Sequence, residues 1–292
     1  MIRLGAEAAR VRLGGTLGAN AYSTDVVLTR RESRRVELNG ERLGSSDRLR
    51  NELTTLVFTP DRLAVVKGGP ATRRAYLDRV VSRLLPARAT IASEYTTALG
   101  QRNAGLRRVR GGFSTREALA PWTEKVAALA DSLVRARVEV LELLSPGFAE
   151  TAGELGLTSA TLTYDGDPPT AADLTARIDL DLERGVTGAG PHLHDLRIDA
   201  SERDLRTFGS QGEQRMAVLA LVLAEADALR DRLGVSPLVL LDDVLSELDS
   251  RRRRVLADRV ATMEQAVITA AQRSALPIEP AQVVEVTPGQ AV

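Results

Sequence analysis

Gly209-Ser210-Gln211-Gly212-Glu213-Gln214-Arg215 opens a long apolar segment, and Leu238-Val239-Leu240-Leu241-Asp242-Asp243 follows it, trailed by Ser246-Glu247-Leu248-Asp249. The first stretch reads as a helix start. Ser210 with Glu213 three residues later fits a capping box. The spacing predicts a helix from about Gln211 to Arg230 with Met216, Leu219, Ala220, Leu223 and Ala226 on one face. Gly212 leaves the backbone of the first turn uncovered. Free N–H groups, a serine hydroxyl and no bulk suit a phosphate, although an ordinary capped helix has the same signature.

The second stretch is more informative. Four apolar residues after Pro237 read as a buried, parallel strand. Two carboxylates stand where it ends, and ligands of α/β sheets gather outside the carboxyl ends of strands. A hard cation such as Mg²⁺ takes a carboxylate with waters and phosphate oxygens. Asp242 is the candidate metal ligand, and Asp243 the candidate to polarise an attacking water. An isolated Asp-Asp would read as a strand-ending turn; one helix-length after Ser210 it reads as half of a nucleotide site.

Ser-Gln-Gly-Glu-Gln-Arg followed by Leu-Leu-Asp-Asp-Val-Leu-Ser-Glu-Leu-Asp resembles the RecF family of bacterial recombination mediators. It is also similar to the ATPase heads of SMC-type proteins without their long coiled coil. Further segments agree in order. Phe58-Thr59-Pro60-Asp61-Arg62-Leu63 resembles the region of the Q-loop. Gly69 to Asp78 and Gln101-Arg102-Asn103 resemble the helical lobe. Gly190-Pro191-His192-Leu193-His194-Asp195-Leu196 resembles a Gly-Pro-His-x-Asp-Asp-Leu block, with His194 where the family has aspartate. The resemblance runs to about Thr269.

The resemblance implies an α/β fold, an ABC/SMC-type ATPase head with an inserted helical lobe. Residues 1–66 and 186–292 would form the head-like lobe, and 67–185 a mainly helical lobe with returning strands. It implies ATP and Mg²⁺ as cofactors and an ATP-dependent homodimer that clamps duplex or gapped DNA. It further implies cooperation with other recombination mediator proteins that load a strand-exchange protein at gaps. Carried over by motif, Ser210, Gln211, Gly212 and Gln214 would contact a partner's ATP in trans, Asp242 would organise Mg²⁺, Asp243 would orient the water and Asp249 would lie at the seam.

One element of such a site is missing. A phosphate-binding loop needs Gly-x-x-x-x-Gly-Lys-Ser/Thr. The only lysines are Lys67 and Lys125, and neither follows a glycine or precedes Ser or Thr. Met1 to Ala6 resembles a strand downstream of that loop. The expectation is therefore a head lacking its phosphate-loop strand and helix, roughly a fifth of a typical family chain. Alternatives are a non-catalytic fragment that keeps only the trans-acting surface, or an ABC-transporter ATPase subunit. The long helical segment and the Gly-Pro-His block speak against the last.

Composition narrows the rest. The 292 residues are 43% hydrophobic and 27% charged, ordinary for a globular chain. Lys+Arg and Asp+Glu both number 39, so DNA affinity must come from local patches. Arg102, Arg107, Arg108 and Arg110, with Arg116, form such a stripe free of acidic residues; a solvated helix face is the alternative. Arg251 to Arg254 form a second run beside the expected seam. Aromatic residues at 3% leave little for a stacking platform. His192 and His194 read as loop-ordering residues rather than a metal pair. The absence of cysteine excludes thiolate sites and suits a cytoplasmic protein; no segment reaches the roughly 18 apolar residues of a membrane span.

Along the chain, strands are expected at 8–12, 22–30 and 33–43, with a turn at Asn39-Gly40. Helices are expected over 73–85 and 87–110, and a third, capped by Ser114 or Thr115, through Trp122 to Leu144, ended by Pro146-Gly147. Strands should return at 160–164, 176–182 and 193–198.

Overall fold

β-Branched and aromatic residues at Tyr22, Thr24, Val26 and Val27 favour extended backbone in the first sheet. The computed structural model describes residues 2–17, 20–31, 34–44, 49, 53–287 and 290–291. Ser33 and Met1, at the edges of predicted strands, lie outside them, and residues 2–6 form a turn rather than a strand. Strands β1 (Ala8–Leu17), β2 (Asn20–Thr29), β3 (Arg35–Leu38) and β4 (Glu41–Arg42) form an antiparallel meander. Asn39 (φ +50°) and Gly40 (φ +81°) both take the left-handed conformation that a two-residue hairpin demands. Val36, Leu38 and Leu43 bury a small core of their own. This part, Met1–Thr55, is one compact unit; Leu56–Val292 is the other. Within that second unit the helical segment and the nucleotide elements share one core.

That second unit opens with β5 (Thr55–Phe58) and the short helix α1 (Ala64–Lys67), then α2 (Pro70–Leu84), α3 (Ile91–Arg110) and α4 (Ala120–Glu154). Next come β6 (Thr161–Asp165), α5 (Ala171–Ala176), α6 (Ile178–Arg184), β7 (Asp195–Ala200), β8 (Arg203–Asp204) and α7 (Leu205–Phe208). The nucleotide elements are α8 (Gln211–Leu233), β9 (Leu238–Leu241), α9 (Ser250–Ala261) and β10 (Ala266–Ile268). β9 lies between β5 and β10 and runs parallel to β10. Its Val239 and Leu241, with Leu56 and Phe58, point into the core. Leu238, Leu240 and Val57 alternate with them onto the other, partly exposed face, beside Val267 at 48% exposure.

Three expectations change. The helix predicted to stop at Pro146 continues to Glu154. Pro146 removes one N–H, yet Phe148, Ala152 and Leu155 beyond it are wholly buried, and their burial outweighs the lost bond. Gly147 faces Ala224 of α8, so the Pro-Gly pair marks a close helix approach, not a stop. Residues 176–182, predicted as a strand, are helical. A capping box between Thr170 and Asp173 starts α5, and α6 carries Asp181 inward. Finally α8 is not amphipathic: every residue from Met216 to Ala226 is buried, Glu225 included, whose carboxylate meets Arg83 at 2.6 Å.

Arg102 is the main correction to the predicted DNA stripe. It is fully buried, so it touches no nucleic acid. Its Nη1 donates to Asp181 Oδ2 at 2.8 Å and Thr187 Oγ1 at 2.6 Å, its Nε to Thr123 Oγ1 at 3.2 Å, and its Nη2 to the Leu174 carbonyl at 3.2 Å. It pins α3, α4, α5 and α6 together. Other buried arginines act likewise: Arg73 forks onto Asp195, and Arg137 onto Asp78.

The two histidines are also structural. His192 Nε2 donates to the Thr187 carbonyl at 3.0 Å, and Nδ1 accepts from the Tyr95 hydroxyl at 2.7 Å, which requires the neutral ring. His194 Nδ1 accepts from Tyr164 at 3.0 Å, whose oxygen in turn takes a bond from Arg137. Burial lowers the pKa of both rings below the ordinary 6.5, with nearby arginines acting in the same direction.

Arg102→Ala takes the closest cation from the buried Asp181 carboxylate, leaving it Arg177 and the Gly188 N–H, and is expected to cost about 3 kcal/mol in urea unfolding. Arg107→Ala, exposed five residues on, should stay within about 0.5 kcal/mol of the parent. Equal, small losses would return Arg102 to the surface. The histidines set a pH dependence. Below about 6.5 the unfolded chain takes up protons that the folded chain refuses, so stability falls as pH drops through that value. Replacing both by glutamine should flatten this part of a melting-temperature profile between about pH 7.5 and 5.5.

Candidate functional site

The first turn of α8 is built as the capping box requires. Ser210 Oγ accepts from the Glu213 N–H at 3.2 Å, and Glu213 Oε2 accepts from the Ser210 N–H at 2.7 Å. These bonds hold the Glu213 carboxyl below its usual pKa. Ser210, Gln211 and Gly212 are exposed, and helix geometry leaves the N–H groups of residues 211 and 212 without an intrahelical acceptor. Gln214 departs from the expectation. It is buried, and its Nε2 donates to the Leu205 carbonyl at 2.8 Å. It ties the serine turn to α7, and its side chain is no part of the exposed surface.

The strand end is equally ordered. The Asp242 N–H donates to the Phe58 carbonyl at 2.9 Å, linking β9 to β5. Thr269 then joins both carboxylate residues: its hydroxyl donates to Asp242 Oδ1 at 2.6 Å and accepts from the Asp243 N–H at 2.9 Å. Asp243 has φ +49°, a left-handed conformation that aspartate adopts more readily than most residues. Both side chains are exposed. Asp243 also borders a cavity of about 180 Å³ lined by Ser246, Arg253, Gln272 and neighbours. Sequence reasoning missed Thr269, though the signal was there: Ile268 pairs with Leu241 in parallel register, so the next residue must fall beside Asp242.

Asp249 caps α9, accepting from the Arg252 N–H at 2.9 Å, and this bond lowers its carboxyl pKa. Within the adjacent run, Arg252 Nε donates to the Leu155 carbonyl and Arg253 Nε to that of Leu245, so these two fasten α9 to the unit. Arg251 and Arg254 remain exposed. In the helical segment, Arg107, Arg108 and Arg110 are exposed near the end of α3, and Arg110 donates to the Glu183 carbonyl at 3.1 Å.

Chemically, the two exposed carboxylates at one strand end are hard oxygen donors of the kind Mg²⁺ takes alongside water and phosphate. No cluster of three or more His, Cys, Asp or Glu able to cage a metal occurs among the described residues. The serine turn suits an anion. A lysine-bearing phosphate loop is not among the 292 residues. Among the described residues no helix is long and apolar enough to cross a membrane.

Comparison with known proteins agrees with this geometry. No family model matches the chain. A DNA replication and repair protein RecF of Anaeromyxobacter dehalogenans is 39% identical over 305 residues, covering 96% of this chain and 79% of that protein. RecF of Heliobacterium modesticaldum is 34% identical over 274 residues, covering 89% and 74%. RecF of Cutibacterium acnes is 33% identical over 312 residues, covering 95% and 79%. Among solved structures, the recombination mediator RecF with ATP superposes with a TM-score of 0.79 at 24% identity, covering 95% of this chain and 77% of that one. An SMC head bound to the winged-helix domain of ScpA superposes at 0.52 with 14% identity, covering 93% and 68%. A buried helix with an exposed serine turn and a parallel strand ending in two ordered aspartates thus belong to an ATPase-head fold, and the chain is a member of the RecF family of DNA replication and repair proteins.

Proposed function

We propose that the chain works as one subunit of an ATP-dependent homodimer that closes on duplex or gapped DNA. With other recombination mediator proteins it helps load a strand-exchange protein at gaps. The observation that carries this is the exposed first turn of α8. The body of that helix is buried on every side, yet Ser210, Gln211 and Gly212 stand open with N–H groups available. Such a turn has an anion as its natural complement. The Glu213 carboxylate holds the Ser210 N–H, and among the described residues no anion meets the N–H groups of residues 211 and 212, so in this reading their complement is the terminal phosphate of ATP held by a second head. Asp249, exposed at the start of α9, would lie along the same seam.

In the chain's own half-site Asp242 would hold Mg²⁺, aimed by Thr269, and Asp243 would orient the attacking water. Bound there, Mg²⁺ supplies charge neutralisation at the phosphates. With no glycine-lysine pair to anchor those phosphates, the 292-residue chain by itself should show no ATP turnover. Turnover by the purified chain that disappears in Asp243→Asn would overturn this.

The trans surface needs only a correctly folded α8. The chain should restore ATP-dependent pairing to a partner head that has an intact phosphate loop but a mutated signature serine. Ser210→Arg places charged bulk where the phosphate would sit and should abolish pairing. Ser210→Ala should cost about 1 kcal/mol of stability through the lost cap. If both variants reduce pairing equally, and no more than they reduce stability, Ser210 is a cap alone.

A further inference from the structure

The end of α3 carries a feature that the nucleotide elements leave unexplained. Phe113 is 79% exposed. Its backbone is fixed, because α3 closes in a Schellman turn: the Gly112 N–H donates to the Val109 carbonyl at 3.0 Å and the Phe113 N–H to the Arg108 carbonyl at 2.8 Å. Gly112 sits at φ +76°, the left-handed position such a turn needs. In this motif the residue in Phe113's place usually packs on an apolar residue where Arg108 stands. An arginine there gives the ring no apolar seat. The ring instead lies against Gly111, where an added methyl would approach it to 2.9 Å. A glycine pair and a fixed turn therefore hold an aromatic face out in water.

Its surroundings are cationic. Arg107, Arg108 and Arg184 are exposed and form no ion pair among the described residues. Arg110 is spent on a backbone carbonyl, that of Glu183, so no carboxylate neutralises it. Gly185 packs against Arg107 and Arg110, which brings the end of α6 beside the tip. Of the neighbouring acids, Asp179 pairs with Arg116 at 2.5 Å, Glu117 bonds to Thr115 and its own backbone, and Glu183 stands exposed beside Arg184, one carboxylate against the four arginines at 107, 108, 110 and 184. Cations in the last turn of a helix are favoured by its dipole, which accounts for their tolerance there. It does not account for a rigid, exposed phenyl ring among them.

We propose that this tip engages unpaired bases at the edge of a DNA gap, with the Phe113 ring stacking on an unstacked base while Arg107 and Arg108 hold adjacent phosphates. This deepens the DNA reading above and rests on it. A paired duplex offers the phosphates but keeps its base faces covered, whereas a gap offers both. The ring is single, so it selects a site without forming a continuous platform.

The test is fluorescence anisotropy of the full chain at low salt, with ATP and a partner head that has an intact phosphate loop, on three probes: a gapped duplex, the same duplex fully paired, and a single strand. The parent should prefer the gapped probe. Phe113→Ala should weaken gapped binding by about tenfold and paired binding by no more than about twofold. Phe113→Trp should keep the preference. The Arg107→Glu/Arg108→Glu pair should weaken every probe and reduce the salt dependence. A 2-aminopurine at the gap edge should change emission with the parent and not with Phe113→Ala. Unaltered melting of Phe113→Ala, expected for an exposed ring, separates binding from folding. If Phe113→Ala retains the gap preference, the stacking role is wrong while DNA binding stands. If the parent binds no probe, the DNA reading falls with it. If charge reversal leaves DNA binding intact but removes association with an acidic protein, the tip is a protein contact and the proposal is overturned.

Discussion

The burial of α8 on all sides is the constraint on which the rest depends. A helix whose residues from Met216 to Ala226 are all out of solvent must be surrounded by other elements, and here α2, α4 and β9 contribute to the same core. Burial on that scale leaves the helix no freedom to slide or rotate, because interiors pack near crystal density. Its first turn is consequently held in place. The capping box fixes the serine, and Gln214 fixes the turn to Leu205. An exposed anion-seeking turn anchored in a rigid core is the kind of preorganisation that a binding surface needs, since little ordering remains to be done on contact.

The same logic explains the buried ion pairs. Arg102–Asp181, Arg83–Glu225, Arg73–Asp195 and Arg137–Asp78 are each made between elements distant in sequence. Burying charge seldom adds much net stability, because desolvation offsets attraction. What these pairs do add is registry: a guanidinium donates to its carboxylate in few geometries, and Arg73 and Arg137 do so as two-bond forks. The helical segment is therefore positioned relative to α8 by apolar packing for stability and by arginine forks for alignment. The histidine–tyrosine contacts at residues 95, 164, 192 and 194 extend this network into the Gly-Pro-His loop.

Legibility followed the range of the interaction. β9 was readable to the residue, because an apolar run between proline and two aspartates is a local signal. Ser210 and Glu213 were equally readable, since a capping box spans one turn. The Asn39-Gly40 hairpin was as well. Failures came where a distant partner decides. Arg102 looks like its arginine neighbours in sequence, and only the arrival of Asp181 from 79 residues away distinguishes it. Pro146 reads as a terminator unless the core beyond it is known. Residues 176–182 alternate well enough for a strand, but the Thr170 cap and the demand for Asp181 inside make them helical. Thr269 lay in between: parallel register implies its place once β9 and β10 are paired, and not before.

Under the proposed reading the two halves of the candidate site differ in what they need. The serine turn is complete within α8 and its two anchors. The aspartates are also well placed: Asp242 is aimed by Thr269, and Asp243 is held in a left-handed turn by a bond to the same hydroxyl. Yet a carboxylate that orients water works only against a phosphate fixed within hydrogen-bond reach. Electrostatic repulsion between carboxylates and a triphosphate makes this stricter, because cations must offset that repulsion before the groups approach. Among the 292 residues no glycine-lysine pair does so. The serine turn needs only core packing that these residues already have, while the aspartates need a gripped phosphate before either can act.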